Sequence, residues 1–195
     1  AVVATRGVSR GQLAWLAAAA PLLGMAILAW LTPAVLNGEV ISSRHDWLPQ
    51  IGLAFSLRLD GLAWMFAWLV LAIGALVVMY AHYYLSARDS ASRFYCYLLL
   101  FMGAMLGMVL AGNLLLLVVF WELTSISSFL LIGYWSHRKD ARDGARMALM
   151  ITGGGGLALL GGVLLIGRIV GSYELDVVLA AGDLIRASPL YPWVL

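Results

Sequence analysis

The sequence contains a single cysteine, Cys96, among 195 residues. This excludes a disulfide framework and any metal or cluster site built on grouped thiolates. Cys96 lies inside an apolar run and reads as a small buried hydrophobe. Charge is equally scarce. Asp, Glu, Lys and Arg make up 11% of the chain, against about 25% in a soluble domain. A net charge of +2 is too small to describe a nucleic-acid-binding surface. The three histidines do not pair at mid-membrane positions. His45 and His137 fall in loops and His82 at a span boundary among tyrosines, which excludes a bis-histidine haem. Zinc spacing, a Ser/His/Asp arrangement and a dinucleotide fingerprint are all missing. The Gly153-to-Gly156 run lacks the lysine and the preceding strand of a phosphate loop. No cofactor, metal or nucleic acid is expected.

What is present is apolar residue in long runs, 63% of the chain. Five runs are long enough to cross a bilayer: about 12–33, 61–83, 94–111, 113–135 and 145–170. The expected fold is an all-α polytopic membrane protein forming a single membrane domain over 1–195. Pro21 is expected to kink the first span. The first run is longer than the apolar core of a secretory signal, and more spans follow it. The longest connection, Ala34 to Asp60, leaves no room for a soluble domain. Residues 171–188 mix apolar and charged positions and read as a loop or interfacial helix. Residues 189–195 read as the start of a further helix. That ending, and a first residue that is not Met, lead to the expectation of a fragment or processed piece of a longer protein.

Lys/Arg asymmetry gives an orientation. With loop 136–144 in the cytoplasm, Arg6, Arg10, Arg88, Arg93, Arg138, Lys139, Arg142 and Arg146 all fall inside. Arg44, Arg58, Arg168 and Arg186 fall outside. Tyr80, Tyr83, Tyr84, Tyr95, Tyr97, Tyr134 and Trp135 mark the interfaces as belt residues. Small residues form two expected packing stripes: Gly103, Gly107 and Ala111 on the third span, and Gly154, Ala158 and Gly162 on the fifth.

One acidic residue, Glu122, lies deep in a span. A carboxylate at the bilayer centre costs about 2.5–3.5 kcal/mol on insertion scales, so intramembrane carboxylates are functional by default. Ser125 lies one turn along on nearly the same face, with Thr124 and Ser128 on an adjoining one. Their hydroxyls can support proton transfer, although Ser and Thr also bond back to their own helix. The five spans offer no lysine as a counter-charge. Asp60 precedes the second span and reads as its N-cap or as an ion-entry group.

FWELTSISSFLLIG (120–133), preceded by LLLFMGAMLGMVLAGNLLLL (98–117) and LRLDGL (57–62), resembles the large A-type chain of Mrp-type multisubunit Na⁺/H⁺ antiporters. That chain is related to the antiporter-like membrane subunits of respiratory complex I. The resemblance covers roughly 56–168. It implies a discontinuous-helix fold built on inverted repeats and a membrane Glu, matched by Glu122, facing a Lys two helices later, beyond Leu195. It also implies a hetero-oligomeric complex in the cell membrane with other antiporter subunits, moving protons and Na⁺ or K⁺. The implied activity is proton-driven cation antiport, without enzymatic chemistry. A charged Arg/Asp pair found in the complex I relatives is replaced by Thr152-Gly153-Gly154-Gly155-Gly156. This favours the antiporter branch over a proton-pumping subunit of an NADH:quinone oxidoreductase. A passive scaffold role is the third reading.

Overall fold

The computed structural model describes residues 9–86 and 89–194. Arg6 and Arg88, counted above among the inside charges, lie outside the described residues. The elements follow the order α1 (Arg10–Leu36), β1 (Ile41–Leu48), β2 (Leu53–Leu59), α2 (Gly61–Tyr84), α3 (Ala91–Val109), α4 (Leu114–Ile132), α5 (Lys139–Val170), α6 (Leu175–Ala180), α7 (Gly182–Ala187) and α8 (Tyr191–Val194). Helices α1 to α5 are long and apolar enough to cross a membrane. The helical membrane architecture expected from the sequence is therefore present.

Each helix packs mainly on its sequence neighbour: α1 on α2, α2 on α3, α3 on α4 and α4 on α5. The interior is divided into small clusters rather than one core. One joins Leu28, Ala67, Leu71 and Met102, and another joins Leu13, Val78, Tyr95 and Tyr134. Large apolar side chains such as Trp15, Trp30, Leu157 and Trp193 point outward. Acyl chains or further membrane helices solvate such a surface without the penalty water would impose.

Several elements depart from the sequence reading. α1 runs through Pro33 to Leu36, and α5 starts at Lys139 rather than near 145. Polar Lys139, Asp140, Arg142 and Asp143 fill its first turns, so a hydropathy window cuts them off although their backbone is helical. The 171–188 segment forms two short helices, α6 and α7, and α8 lies against α5.

The larger departure is in the first connection, which is a β-hairpin rather than a loop. β1 and β2 pair antiparallel from Ile41–Leu59 to Leu48–Leu53, with Gly52 in the left-handed conformation (φ 75°) closing the turn. β2 buries Leu53, Ala54, Ser56 and Leu59. Its free edge is covered by the α3–α4 link. Gly112 N–H donates to Ser56 O (2.7 Å), and Arg58 N–H donates to Leu110 O (2.8 Å). That link pairs in turn with the chain entering α6, through Leu114 N–H to Tyr173 O and Leu175 N–H to Gly112 O. Backbone pairing across this end of the bundle thus satisfies groups a sheet edge would leave open. At Gly112, a Cβ would come within 2.6 Å of Ser56 Oγ.

The packing stripes also change. A Cβ on Gly103 or Gly154 meets nothing within 4 Å, and Gly103 and Ala158 are exposed. The close approaches are at Gly107, against the Phe120 ring, and at Gly156, against Glu122. Gly162 approaches the Val194 carbonyl, with a Cβ placed 3.2 Å away. Gly107→Ala is expected to destabilise by about 1–3 kcal/mol through overpacking, and Gly103→Ala to be neutral. Thermal unfolding of the two variants checks this contrast.

Candidate functional site: a carboxylate in the middle of α4

Asn113 starts α4. Its side chain accepts from Leu115 N–H (3.0 Å) and Leu116 N–H (3.3 Å), an N-cap in which two otherwise orphaned donors are satisfied. Its amide also donates to Gly52 O (3.1 Å) and Glu174 Oε1 (2.9 Å). Asn113 is 1% exposed, and it ties the hairpin turn, the start of α4 and the approach to α6 into one hydrogen-bonded unit. The sequence reading begins the span at Asn113 without assigning the residue a role. The signal available was an Asn directly before an apolar run.

Glu122 is half-buried in the middle of α4, which is sandwiched between α3 and α5. At about 1.5 Å per residue it stands roughly 14 Å from the Asn113 end. Its carboxylate faces the backbone of α5. A Cβ built on Gly156 would overlap Oε1 and come within 3.0 Å of the carboxyl carbon, and within 3.1 Å of Trp121 Cδ1. Only the absence of a side chain at Gly156 lets the carboxylate occupy this place. Trp121 Nε1–H donates to Thr152 O (3.4 Å), holding α4 to α5 one turn earlier on α5. Among the described residues, no hydrogen bond or ion pair reaches the Glu122 carboxylate. The four-glycine run is helical throughout, and only its last member opposes the acid.

The hydroxyls near Glu122 bond back to their own helix. Thr124 Oγ1 (2.7 Å) and Ser125 Oγ (3.2 Å) both donate to Trp121 O. A hydroxyl whose proton is engaged there keeps its lone pairs, so it can accept from a protonated acid but not donate to a carboxylate. Ser125 is buried and Ser128 half-buried. Ser127, not singled out in the sequence, is fully buried and donates to Leu123 O (2.7 Å) and Thr124 O (3.1 Å).

Asp60 caps α2, accepting from Ala63 N–H (2.8 Å), and pairs with Arg58. Arg58 Nε also donates to Asp176 Oδ1 (2.8 Å), linking the hairpin to α6. Burial pushes the Asp60 carboxyl up, but the Ala63 N–H and the Arg58 guanidinium outweigh it and hold it below the ordinary carboxylate range. A lowered folded pKa contributes stability above the unfolded value of about 3.9, lost as pH falls through the folded one. Local acid loosening is therefore expected below about pH 4. Asp60→Ala is expected to weaken the start of α2 by about 1 kcal/mol, and Asp60→Asn, which keeps a cap, by less. Hydrogen exchange at the Ala63 amide reads both effects. Among the described residues, no group of three or more His, Cys, Asp or Glu could hold a metal ion.

Two family models match. One, described as NADH-ubiquinone oxidoreductase (complex I), chain 5 N-terminus, covers residues 47–95. The other, described as NADH:quinone oxidoreductase/Mrp antiporter, TM, covers residues 111–190. The chain belongs to this family. Among curated relatives, it is 59% identical over 186 residues to a probable K⁺/H⁺ antiporter A/B subunit of Rhizobium meliloti (strain 1021), covering 95% of the chain and 19% of the relative. It is 41% identical over 182 residues to the A1 subunit of a Na⁺/H⁺ antiporter of Staphylococcus aureus, covering 93% and 23%. Among solved structures, a chain of the Mrp complex from Dietzia sp. DQ12-45-1b superposes with a TM-score of 0.81 at 31% identity, covering 93% of this chain and 19% of that one. The chain spans about a fifth of the length of the curated relatives it matches. Within the NADH:quinone oxidoreductase/Mrp antiporter family, these relatives place it with the large Mrp-type antiporter chains. In this family member the second model spans Asn113, Glu122 and Gly156 together.

Proposed function

We propose that this chain forms part of the membrane subunit of a proton-driven monovalent-cation antiporter, and that Glu122 accepts and releases the transported proton. The observation that carries the reading is a carboxylate in the middle of a membrane helix, kept open by Gly156 and without a counter-charge among the described residues. Ser125, one turn along, keeps lone pairs to accept from the protonated acid when the Glu122 side chain turns away from Gly156, and Thr124 and Ser128 are further supporting polar residues on the same helix. Deprotonation then requires water or a basic side chain supplied by the rest of the protein. Asp60 serves as a structural cap at the hairpin end. The partners are other antiporter subunits in a complex, and the cation is Na⁺ or K⁺, as in the names of the relatives. Loop 136–144 faces the cytoplasm, where its Lys/Arg residues satisfy the positive-inside bias. The protein carries out no covalent chemistry.

The test is cation-dependent collapse of a pH gradient in vesicles holding the whole complex. Wild-type exchange by the Glu122→Gln complex overturns the reading. A second reading, a proton-pumping subunit of an NADH:quinone oxidoreductase, draws on the complex I description of the model over residues 47–95. Co-purification of the complex with flavin and iron–sulfur subunits would establish it instead.

A further inference from the structure

At the end of the bundle opposite the hairpin, a cavity of about 190 Å³ opens between α3, α4 and the start of α5. Three guanidinium groups line it: Arg93 from α3, and Arg142 and Arg146 from α5. Their charge is largely uncompensated. Arg93 donates to Tyr134 O (3.4 Å) and lies 5.1 Å from the centroid of the Tyr134 ring. Arg142 donates to Ser136 O (2.9 Å), a neutral partner. Arg146 has one carboxylate near, Asp143, at 4.0 Å with both side chains more than half exposed. Such a pair adds little, so the cavity presents a net positive charge with N–H donors unspent. Its remaining walls include Tyr97, Phe129 and Leu130, giving it an apolar wall beside the charged one.

The geometry points to a binding site for the phosphate headgroup of an anionic phospholipid in this cavity. Arg142 and Arg146 would hold the phosphate oxygens, Arg93 would lie at the side, and the upper acyl chain would rest on Phe129 and Leu130. Three features favour this ligand. The cavity is smaller than the roughly 300 Å³ at which sites for drug-sized ligands begin, which suits a headgroup and not a nucleotide. It lies just past the end of α4, beside Tyr134 and Trp135, and the Trp135 ring with the exposed Tyr84 ring 6.3 Å away marks the aromatic belt at headgroup depth. Basic pockets between membrane helices recognise anionic headgroups through this combination of charge and adjoining apolar wall. A free phosphate ion offers the same oxygens to the arginines but makes no use of Phe129 and Leu130. The site stands whichever cation the complex moves.

The test uses the intact complex, stripped of lipid and returned to phosphatidylcholine nanodiscs containing a trace of photoactivatable phosphatidylglycerol. Labelling is expected on peptides spanning 93–97 and 129–146. Each arginine near a membrane surface strengthens anionic-lipid binding about fivefold, so R142Q/R146Q is expected to weaken binding at this site roughly 25-fold. Arg93 stays in place because it also holds Tyr134. If the double variant fails to assemble, the map of label on the wild-type complex decides. Labelling confined to other segments, undiminished labelling in R142Q/R146Q, or full displacement by inorganic phosphate each overturns the assignment.

Discussion

Antiport by a complex carrying Glu122→Gln is expected to fall at least about a hundredfold, the scale lost when a positioned proton-transfer group is removed, with normal assembly. Glutamine is close to isosteric with glutamic acid and fits against Gly156, so a loss of transport with intact assembly isolates the proton. Glu122→Asp keeps the ionisable group but draws it back from α5 by one methylene, and intermediate activity is expected. Gly156 supplies a second probe. Gly156→Ala places a methyl group where Oε1 of Glu122 lies, so the acid must leave its position and transport should fall. Combining Gly156→Ala with Glu122→Asp relieves the clash, because the shorter side chain vacates that volume. The double variant is then expected to be less impaired than the two single effects combined, as residues in direct contact couple. Strict additivity would mean that Gly156 acts on transport by some route other than its contact with the carboxylate. Gradient-collapse rates normalised to assembled complex measure all four.

Asn113→Ala is expected to produce the largest stability loss in the hairpin layer, about 2–4 kcal/mol. Loss of the N-cap accounts for about 1 kcal/mol, and the part-buried hydrogen bonds to Gly52 O and to Glu174, whose carboxylate keeps Arg44 at 3.9 Å, contribute about 0.5–1.5 kcal/mol each. Asn113→Ser restores an acceptor for α4 but cannot reach both outer partners, so it should recover only the cap. Asn113→Asp is expected to be worse than Ser, because its carboxylate would face Glu174 and the Gly52 carbonyl at close range. Amide hydrogen exchange at Leu115 and Leu116 separates the two parts. Fast exchange in Ala and slow exchange in Ser show the cap, and the remaining instability of Ser measures the links to Gly52 and Glu174. Equal stability of Ala and wild type would mean that the hairpin layer does not depend on this residue.

The five membrane helices and the exceptional position of Glu122 follow from the sequence alone. Hydropathy over about twenty residues is a local property, and one carboxylate in such a run stands out whatever surrounds it. Asp60 was legible for the same reason, since a cap depends on the next three residues. The partners of these groups were not legible. Gly103 and Gly107 lie one turn apart on α3, and Gly154 and Gly156 belong to one run on α5. Which of them a neighbour approaches depends on helix rotation and crossing, which composition does not encode. The hairpin lies in a segment without a membrane-length apolar run, and its local signals are only the alternation of LAFSLRL and the turn at Gly52. Pairing across residues 52, 113 and 174 is decided by chain segments separated by about sixty positions. The sequence by itself determined where the membrane helices run and which one carries the acid. Only the tertiary structure decided that this acid rests on a bare glycine of the next helix, because that contact depends on how two independently stable helices meet.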